Sequence, residues 1–241
     1  SHFGADAKAQ GARGSAAVDG RAQGLAPMGP EPKMRGSGEE LQEVTEDFVA
    51  FCFQALLAQL KQRPEPCLHD SVADSKVAGL FVTWKAPGER LRGCMGTLGE
   101  VTLDRGLADF ALRSSLRDRR FEPVELHEVN QLTCQVSFLH SFEPCDDAYD
   151  WEIGQHGVHI TFSVPSGPLC PCNTTSYTAT FLPEVMVEHE MSQEVAITKL
   201  VRKAGYDGRC DESLIDSIDT VRFQSSIREM TYHEFAGKYV P

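Results

Sequence analysis

Val158-His-Ile-Thr-Phe-Ser-Val164 places an apolar side chain at every second position, and that alternation decides the fold class. Successive side chains of a strand point to opposite faces, so the segment reads as a strand with one buried face. Leu132, Cys134, Val136 and Phe138 repeat the pattern upstream, and Val221, Phe223 and Ser225 repeat it downstream. Leu80-Phe-Val-Thr-Trp84 and Arg90 to Thr97 read as two strands about the turn Ala86-Pro-Gly-Glu89, and Tyr177 to Leu182 as another. Other segments carry the three- and four-residue spacing of amphipathic helices. Leu41, Val44, Phe48, Cys52, Leu56 and Leu60 form one that Pro64 and Pro66 stop; Leu103, Leu107, Phe110 and Leu116 follow Thr102 as its cap. Val195, Ile197, Leu200 and Val201 lie between a Ser192 cap and Gly205, and Thr231-Tyr-His-Glu234 is a capping box opening the last helix. Strands and helices interleave without a regular βαβ period. The expected fold is therefore α+β, a mixed or antiparallel sheet flanked by helices, rather than a doubly wound parallel sheet.

The alternation and helical spacing begin only near Glu39. Residues 1–38 hold 8 of the 20 glycines, three prolines and almost no bulky apolar groups. Such a stretch cannot offset its ordering entropy by burial, so it reads as a flexible tail ahead of one domain at 39–241. Its charged groups (Lys8, Arg13, Arg21, Lys33 and Arg35 against Asp6, Asp19 and Glu31) leave it net +2, so the rest carries −14 of the chain's −12. That acidity argues against a nucleic-acid partner, although Arg113, Arg117, Arg119 and Arg120 cluster in sequence. No apolar run approaches the roughly 20 residues of a spanning helix. Eight cysteines are few for an extracellular disulfide framework, and no secretory signal is visible. The chain reads as an intracellular protein, cytoplasmic or nuclear, with reduced thiols.

Chemistry concentrates in two short stretches. In Leu91-Arg-Gly-Cys-Met-Gly-Thr97, Gly93 and Gly96 remove side-chain bulk beside Cys94 and let something approach the backbone. Arg92, two residues before the thiol, can favour thiolate or hold an anion. The alternative is a glycine-kinked strand with Cys94 in the core and Arg92 solvated. In Asp150-Trp-Glu-Ile-Gly-Gln-His-Gly157, Asp150 and Glu152 supply carboxylates, Trp151 a flat anchor and His156 a titratable base. The bland reading has Trp151 in the core and His156 at a hairpin tip. Glu184 follows Pro183 at a helix start, where an acid complements the dipole. Cys170-Pro-Cys172 lacks a matched second pair, and His156 and His159 are poor ligands because His159 shares an outward strand face with Thr161 and Ser163. No metal site and no cofactor are expected; Walker, Rossmann, HExxH and Gly-x-Ser-x-Gly motifs are absent from the sequence.

Arg90-Leu-Arg-Gly-Cys-Met-Gly-Thr97 resembles the signature of the AMMECR family, whose pattern is Leu-Arg-Gly-Cys, then Ile or Val, then Gly; Met95 replaces the β-branched residue. Leu80 to Trp84, Asp118-Arg-Arg-Phe121, Asp150 to Gly157, Thr180-Phe-Leu-Pro-Glu-Val185 and Leu200-Val-Arg-Lys-Ala-Gly-Tyr206 are similar to further family blocks in the same order. The Ser166–Asn173 loop departs from it by its length. The resemblance spans residues 44 to 235. It implies a compact domain of two unequal lobes with the signature lining a cleft between them. It implies no settled reaction, and it points to Memo-type or radical SAM proteins as associates.

The sequence thus supports two main functional expectations, with a nucleic-acid-associated regulator as a third. One is a regulatory or adaptor domain whose cleft around Arg92, Gly93, Cys94 and Gly96 holds a protein partner or small-molecule ligand, with Asp150, Trp151 and Glu152 as further binding candidates. The other is a cysteine-dependent enzyme for a small anionic or peptide substrate, with Cys94 as nucleophile, Arg92 binding the anion, and His156 or Glu184 moving protons.

Overall fold

The computed structural model describes residues 41–165 and 174–240. The tail at 1–38 and the Cys170-Pro-Cys172 segment lie outside them. In chain order the helices are α1 (Glu46–Leu60), α2 (Asp70–Ala73), α3 (Leu103–Leu116), α4 (Pro183–Glu188), α5 (Gln193–Lys203), α6 (Glu212–Ile215) and α7 (Tyr232–Tyr239). The strands are β1 (Lys76–Val77), β2 (Gly79–Ala86), β3 (Arg90–Thr97), β4 (Val101–Thr102), β5 (Thr133–Pro144), β6 (Gly157–Pro165), β7 (Thr174–Phe181) and β8 (Asp219–Thr231). Six of them form one curled antiparallel sheet in the order β3-β2-β5-β8-β6-β7, while β1 and β4 make a small separate ladder. The fold is α+β, as the alternating strands predicted.

Two apolar clusters divide the molecule. In the first, α1, α3 and α7 cover β2, β5 and the end of β8. Val49, Cys52, Phe53 and Leu56 of α1 recur at helical spacing and are wholly buried. Phe53 meets Trp84 edge-on at 5.1 Å and stacks on Phe235 at 5.0 Å, and the Trp84 indole donates to the Ala111 carbonyl at 3.1 Å. In the second cluster, Val158, Ile160 and Phe162 of β6 pack with Ile197, Leu200 and Val201 of α5 and with Trp151. A small third cluster, Leu98, Leu139 and Phe223 with Phe81 and Leu182 against it, draws on β2, β5 and β8.

Two bulges shape the sheet. At Ser141, with φ of 54°, β5 gains one residue against β8 between His140 and Glu143; an extra residue bends a strand and raises its twist. The second falls between β2 and β3: Trp84 pairs with Gly93 and Lys85 with Leu91, leaving Arg92 as the extra residue. Local signals in the sequence hold at several ends. Ser192 accepts from the Val195 N–H, Gly205 follows α5 with φ of 91°, and Thr231 and Glu234 form the reciprocal capping box.

Three expectations change. The first helix starts at Glu46 rather than Leu41, because Thr45 is extended and the Leu41 and Val44 N–H groups bond to Lys76 and to Ser226. Thr102 precedes α3 but its side chain caps nothing; the Leu103 N–H goes to the Ser75 carbonyl instead. His159 does not face solvent. It is buried where Thr161 is half-buried and Ser163 exposed, and its Nδ1 lies 2.7 Å from the Thr180 hydroxyl.

Candidate functional site

Arg92, Gly93 and Gly96 are each taken up by the chain itself. The bulge aims Arg92 at the segment after α3, where Nε and Nη2 grip the two carboxylate oxygens of Glu128 at 3.2 and 3.0 Å. Its Nη1 donates to the Glu122 carbonyl at 2.7 Å. The side chain is only 14% exposed, so the solvated arginine expected beside a core thiol is not what forms. The pairing holds the Glu128 carboxyl below its usual range, the Arg92 bond outweighing partial burial. Gly93 makes room for α3: a Cβ there would lie 1.9 Å from the Ser114 carbonyl oxygen. Gly96 makes room for the Phe81 ring, 2.4 Å from its would-be Cβ. What approaches these glycines closely is the chain itself.

Cys94 is different. It sits opposite Thr83, whose hydroxyl donates to Sγ at 3.1 Å. Its backbone points outward from the edge strand and is clamped by the turn after α3: the Cys94 N–H donates to Asp118 Oδ2 at 3.0 Å, and Arg120 Nη2 donates to the Cys94 carbonyl at 3.1 Å. Asp118 and Arg120 are themselves joined by two bonds of 2.6 and 2.9 Å. This pair takes the place of a neighbouring strand along β3. Burial pushes Asp118 up, but Arg120 and two backbone N–H groups outweigh it, and the carboxyl ends below its usual range.

The side chain of Cys94 looks toward the second lobe. Glu184 of α4 and Lys203 of α5 are close enough for their charges to act on it. Burial raises the thiol above its ordinary value; the Thr83 bond and Arg120 pull the other way and do not win. Glu184 is also raised, chiefly by burial and then by Glu188, and its Oε2 is buried without a hydrogen-bond partner. Burial lowers Lys203, whose ammonium donates to the Thr180 carbonyl at 2.7 Å and lies 4.9 Å from the centre of the Phe181 ring. Of the four catalytic candidates, then, Glu184 is the one whose charge acts on Cys94.

The structure does not bring Arg92 or His156 to them. The Glu152–His156 turn closes on itself, with the Glu152 N–H donating to His156 Nδ1 at 3.0 Å. Trp151 is buried in the second core and its indole donates to the Ala148 carbonyl at 2.8 Å. Asp150 receives Arg222 at 2.8 Å, and that arginine also pairs with Glu143. Asp118, Arg120 and Lys203 were missed as site residues. They do fall inside two of the blocks that carry the family resemblance, which was the signal available. Among the described residues no group of three or more His, Cys, Asp or Glu side chains is placed to hold a metal ion, and no helix is long and apolar enough to cross a membrane.

These features define an α+β protein of two cores on one curled antiparallel sheet, with a signature cysteine turned from the first toward the second. The chain belongs to the AMMECR1 family, whose sequence profile matches residues 49–228. It is 39% identical over 195 residues to an uncharacterised protein of Arabidopsis thaliana, covering 78% of this chain and 86% of that one. It is 34% identical over 192 residues to an uncharacterised protein of Schizosaccharomyces pombe, covering 78% and 94%. The crystal structure of the uncharacterised protein PH0010 from Pyrococcus horikoshii superposes with a TM-score of 0.62 at 25% identity, covering 76% of this chain and 90% of that one.

Proposed function

We propose that this domain is a regulatory or adaptor protein whose face around Cys94 holds a segment of a protein partner or a small-molecule ligand, the thiol serving as a contact rather than a nucleophile. One observation carries the reading. The Cys94 thiol is raised by burial, its Sγ receives a bond from Thr83, and no histidine among the described residues bonds to it. A protonated thiol with no base is a poor nucleophile and an adequate packing surface. The family resemblance supplies the partner class, Memo-type or radical SAM proteins. The protein acts inside the cell in this reading, where Cys52, Cys67, Cys94, Cys134, Cys145 and Cys210, all free, stay reduced. A nucleic-acid role has little behind it, since Arg113 and Arg120 are neutralised by Asp109 and Asp118.

The test is alkylation by iodoacetamide, with exposed Cys67 as the internal reference. Cys94 is expected to react more slowly than Cys67 at neutral pH and to accelerate only in more alkaline solution. Faster labelling of Cys94 at neutral pH overturns the reading. It would favour the second one, a cysteine-dependent enzyme, which rests on Glu184. A carboxyl whose burial favours its protonated form, close enough for its charge to act on the thiol, is a candidate proton donor, and Arg120 rather than Arg92 would then face the anionic group.

A further inference from the structure

The second lobe exposes an apolar face that the Cys94 site does not use. Ile153, Val187 and Val195 are 40%, 53% and 44% exposed, and they come from the turn before β6, from α4 and from α5. Two local features bring these three elements together. Gly154, with φ of 84°, brings the turn against α4, so that a Cβ added there would lie 3.3 Å from Val187 Cγ2. Gln193, the first residue of α5, donates to the Tyr149 carbonyl at 2.9 Å and to the Trp151 carbonyl, tying that helix to the same turn. Between turn and helix lies an open hollow of about 550 Å³, walled by Trp151, Glu152, Ile153, Ser192, Gln193 and Glu194.

Carboxylates predominate at this hollow: Glu152 and Glu194 line it, and Glu188 and Glu190 lie on and just after α4 beside Val187. His189 falls between those two, and the one cation on the adjoining turn of α5 is Lys199, four residues beyond Val195. Glu152, Glu188, Glu190 and Glu194 are all exposed. None of the four enters an ion pair among the described residues. An apolar patch with a polar rim is the usual form of a docking surface, and the rim selects the occupant. A second copy of this chain would bring the same carboxylates and a net charge of −12, and a nucleic acid would be repelled. A cationic chain would neutralise the rim while its apolar side chains covered the centre.

We propose that Ile153, Val187 and Val195, framed by Glu152, Glu188, Glu190 and Glu194, dock a basic amphipathic segment of a partner protein. Its aliphatic side chains enter the hollow above Trp151, and its lysines or arginines meet the four carboxylates. The proposal is independent of the role given to Cys94, and either can fail without the other.

The chain has two tryptophans, and they fall one to each core. Trp151 floors the hollow, whereas Trp84 lies in the first cluster, so their indole N–H resonances report the site and a built-in control. The probe is a synthetic Leu/Lys amphipathic helix of about 14 residues, titrated into the isotope-labelled full chain. The Trp151 indole is expected to shift saturably while the Trp84 indole stays in place, and added salt should weaken the binding. Val187→Asp, at an exposed position, should weaken it by about tenfold or more. The double charge reversal Glu188→Lys/Glu194→Lys should do the same without touching the apolar centre. The proposal is overturned if the Trp151 indole does not move or if both indoles move together. It is equally overturned if a Leu/Glu peptide of the same pattern binds as well, if neither variant weakens binding, or if sedimentation shows the chain pairing with itself through this face.

Discussion

The Leu91–Thr97 strand and the Asp150–Gly157 turn hold the same kinds of residue: paired glycines, a charged group and a reactive side chain. Their fates differ. In the turn, His156 closes on the Glu152 N–H and the Trp151 indole on Ala148, and Asp150 pairs with Arg222 of β8. In the strand, Arg92 and both glycines are likewise absorbed by the chain, but Cys94 draws on other parts of the fold: its thiol receives the Thr83 hydroxyl, its backbone is held by the Asp118–Arg120 turn, and the charge of Glu184 acts on it. A reactive residue becomes a candidate site when tertiary structure gathers other groups around it. Flanking glycines alone do not make it one.

The glycines give the sharpest separation between the two stretches. Gly93→Ala would drive a methyl group into the Ser114 carbonyl at 1.9 Å, and a backbone atom in a packed helix cannot move aside. The expected cost is about 3 kcal/mol or more in urea denaturation. Gly154→Ala places a side chain at φ of 84° with only the end of Val187 nearby, and about 1–2 kcal/mol is expected. Equal losses would show that α3 yields easily and that the strand is no more constrained than the turn.

Arg92→Ala comes next. It strands Glu128 beside β3 and frees the Glu122 carbonyl, for an expected loss of about 1–3 kcal/mol, while Cys94 labelling stays unchanged. The Glu128 carboxyl is depressed in the folded state. Its contribution is therefore present above the unfolded carboxyl value and disappears as pH falls through the folded one. The gap between wild type and Arg92→Ala should narrow in acid. A gap that is constant with pH would mean that packing of the arginine stem, not the ion pair, stabilises the strand.

Glu184 has the opposite sign. Its carboxyl is raised in the folded state, so folding favours the protonated form and stability declines as pH climbs from the unfolded value through the folded one. Glu184→Gln removes that decline. The variant should match wild type in acid and exceed it by a small margin at about pH 8. A variant less stable than wild type at that pH would show that the ionised carboxylate has a partner and that the buried oxygen is not spare.

His156→Ala is expected to change least, within about 1 kcal/mol, and to leave the pH profile of Cys94 alkylation where it was. A shift in that profile would join the two stretches into one site and undo the contrast between them.

The sequence by itself determined the longer strands and helices and the class of fold, but not the short α2, α6, β1 and β4. Alternation at Val158–Val164 and Leu132–Phe138, the helical spacing from Phe48 to Leu60, and the caps at Ser192 and Thr231 are effects of near neighbours along the chain, and a sequence lists near neighbours directly. The order of the sheet, the bulge at Arg92 and the partners of Cys94 were settled only by tertiary structure. Arg92 and Cys94, two apart, read as neighbours on one strand face until the extra residue re-aims the arginine toward Glu128. Glu184 and Lys203, about 90 and 110 residues beyond the thiol, come close enough for their charges to act on it only through the tertiary fold. Desolvation, the largest cause that raises both Cys94 and Glu184, has no counterpart in one dimension. It exists only once the two cores have formed.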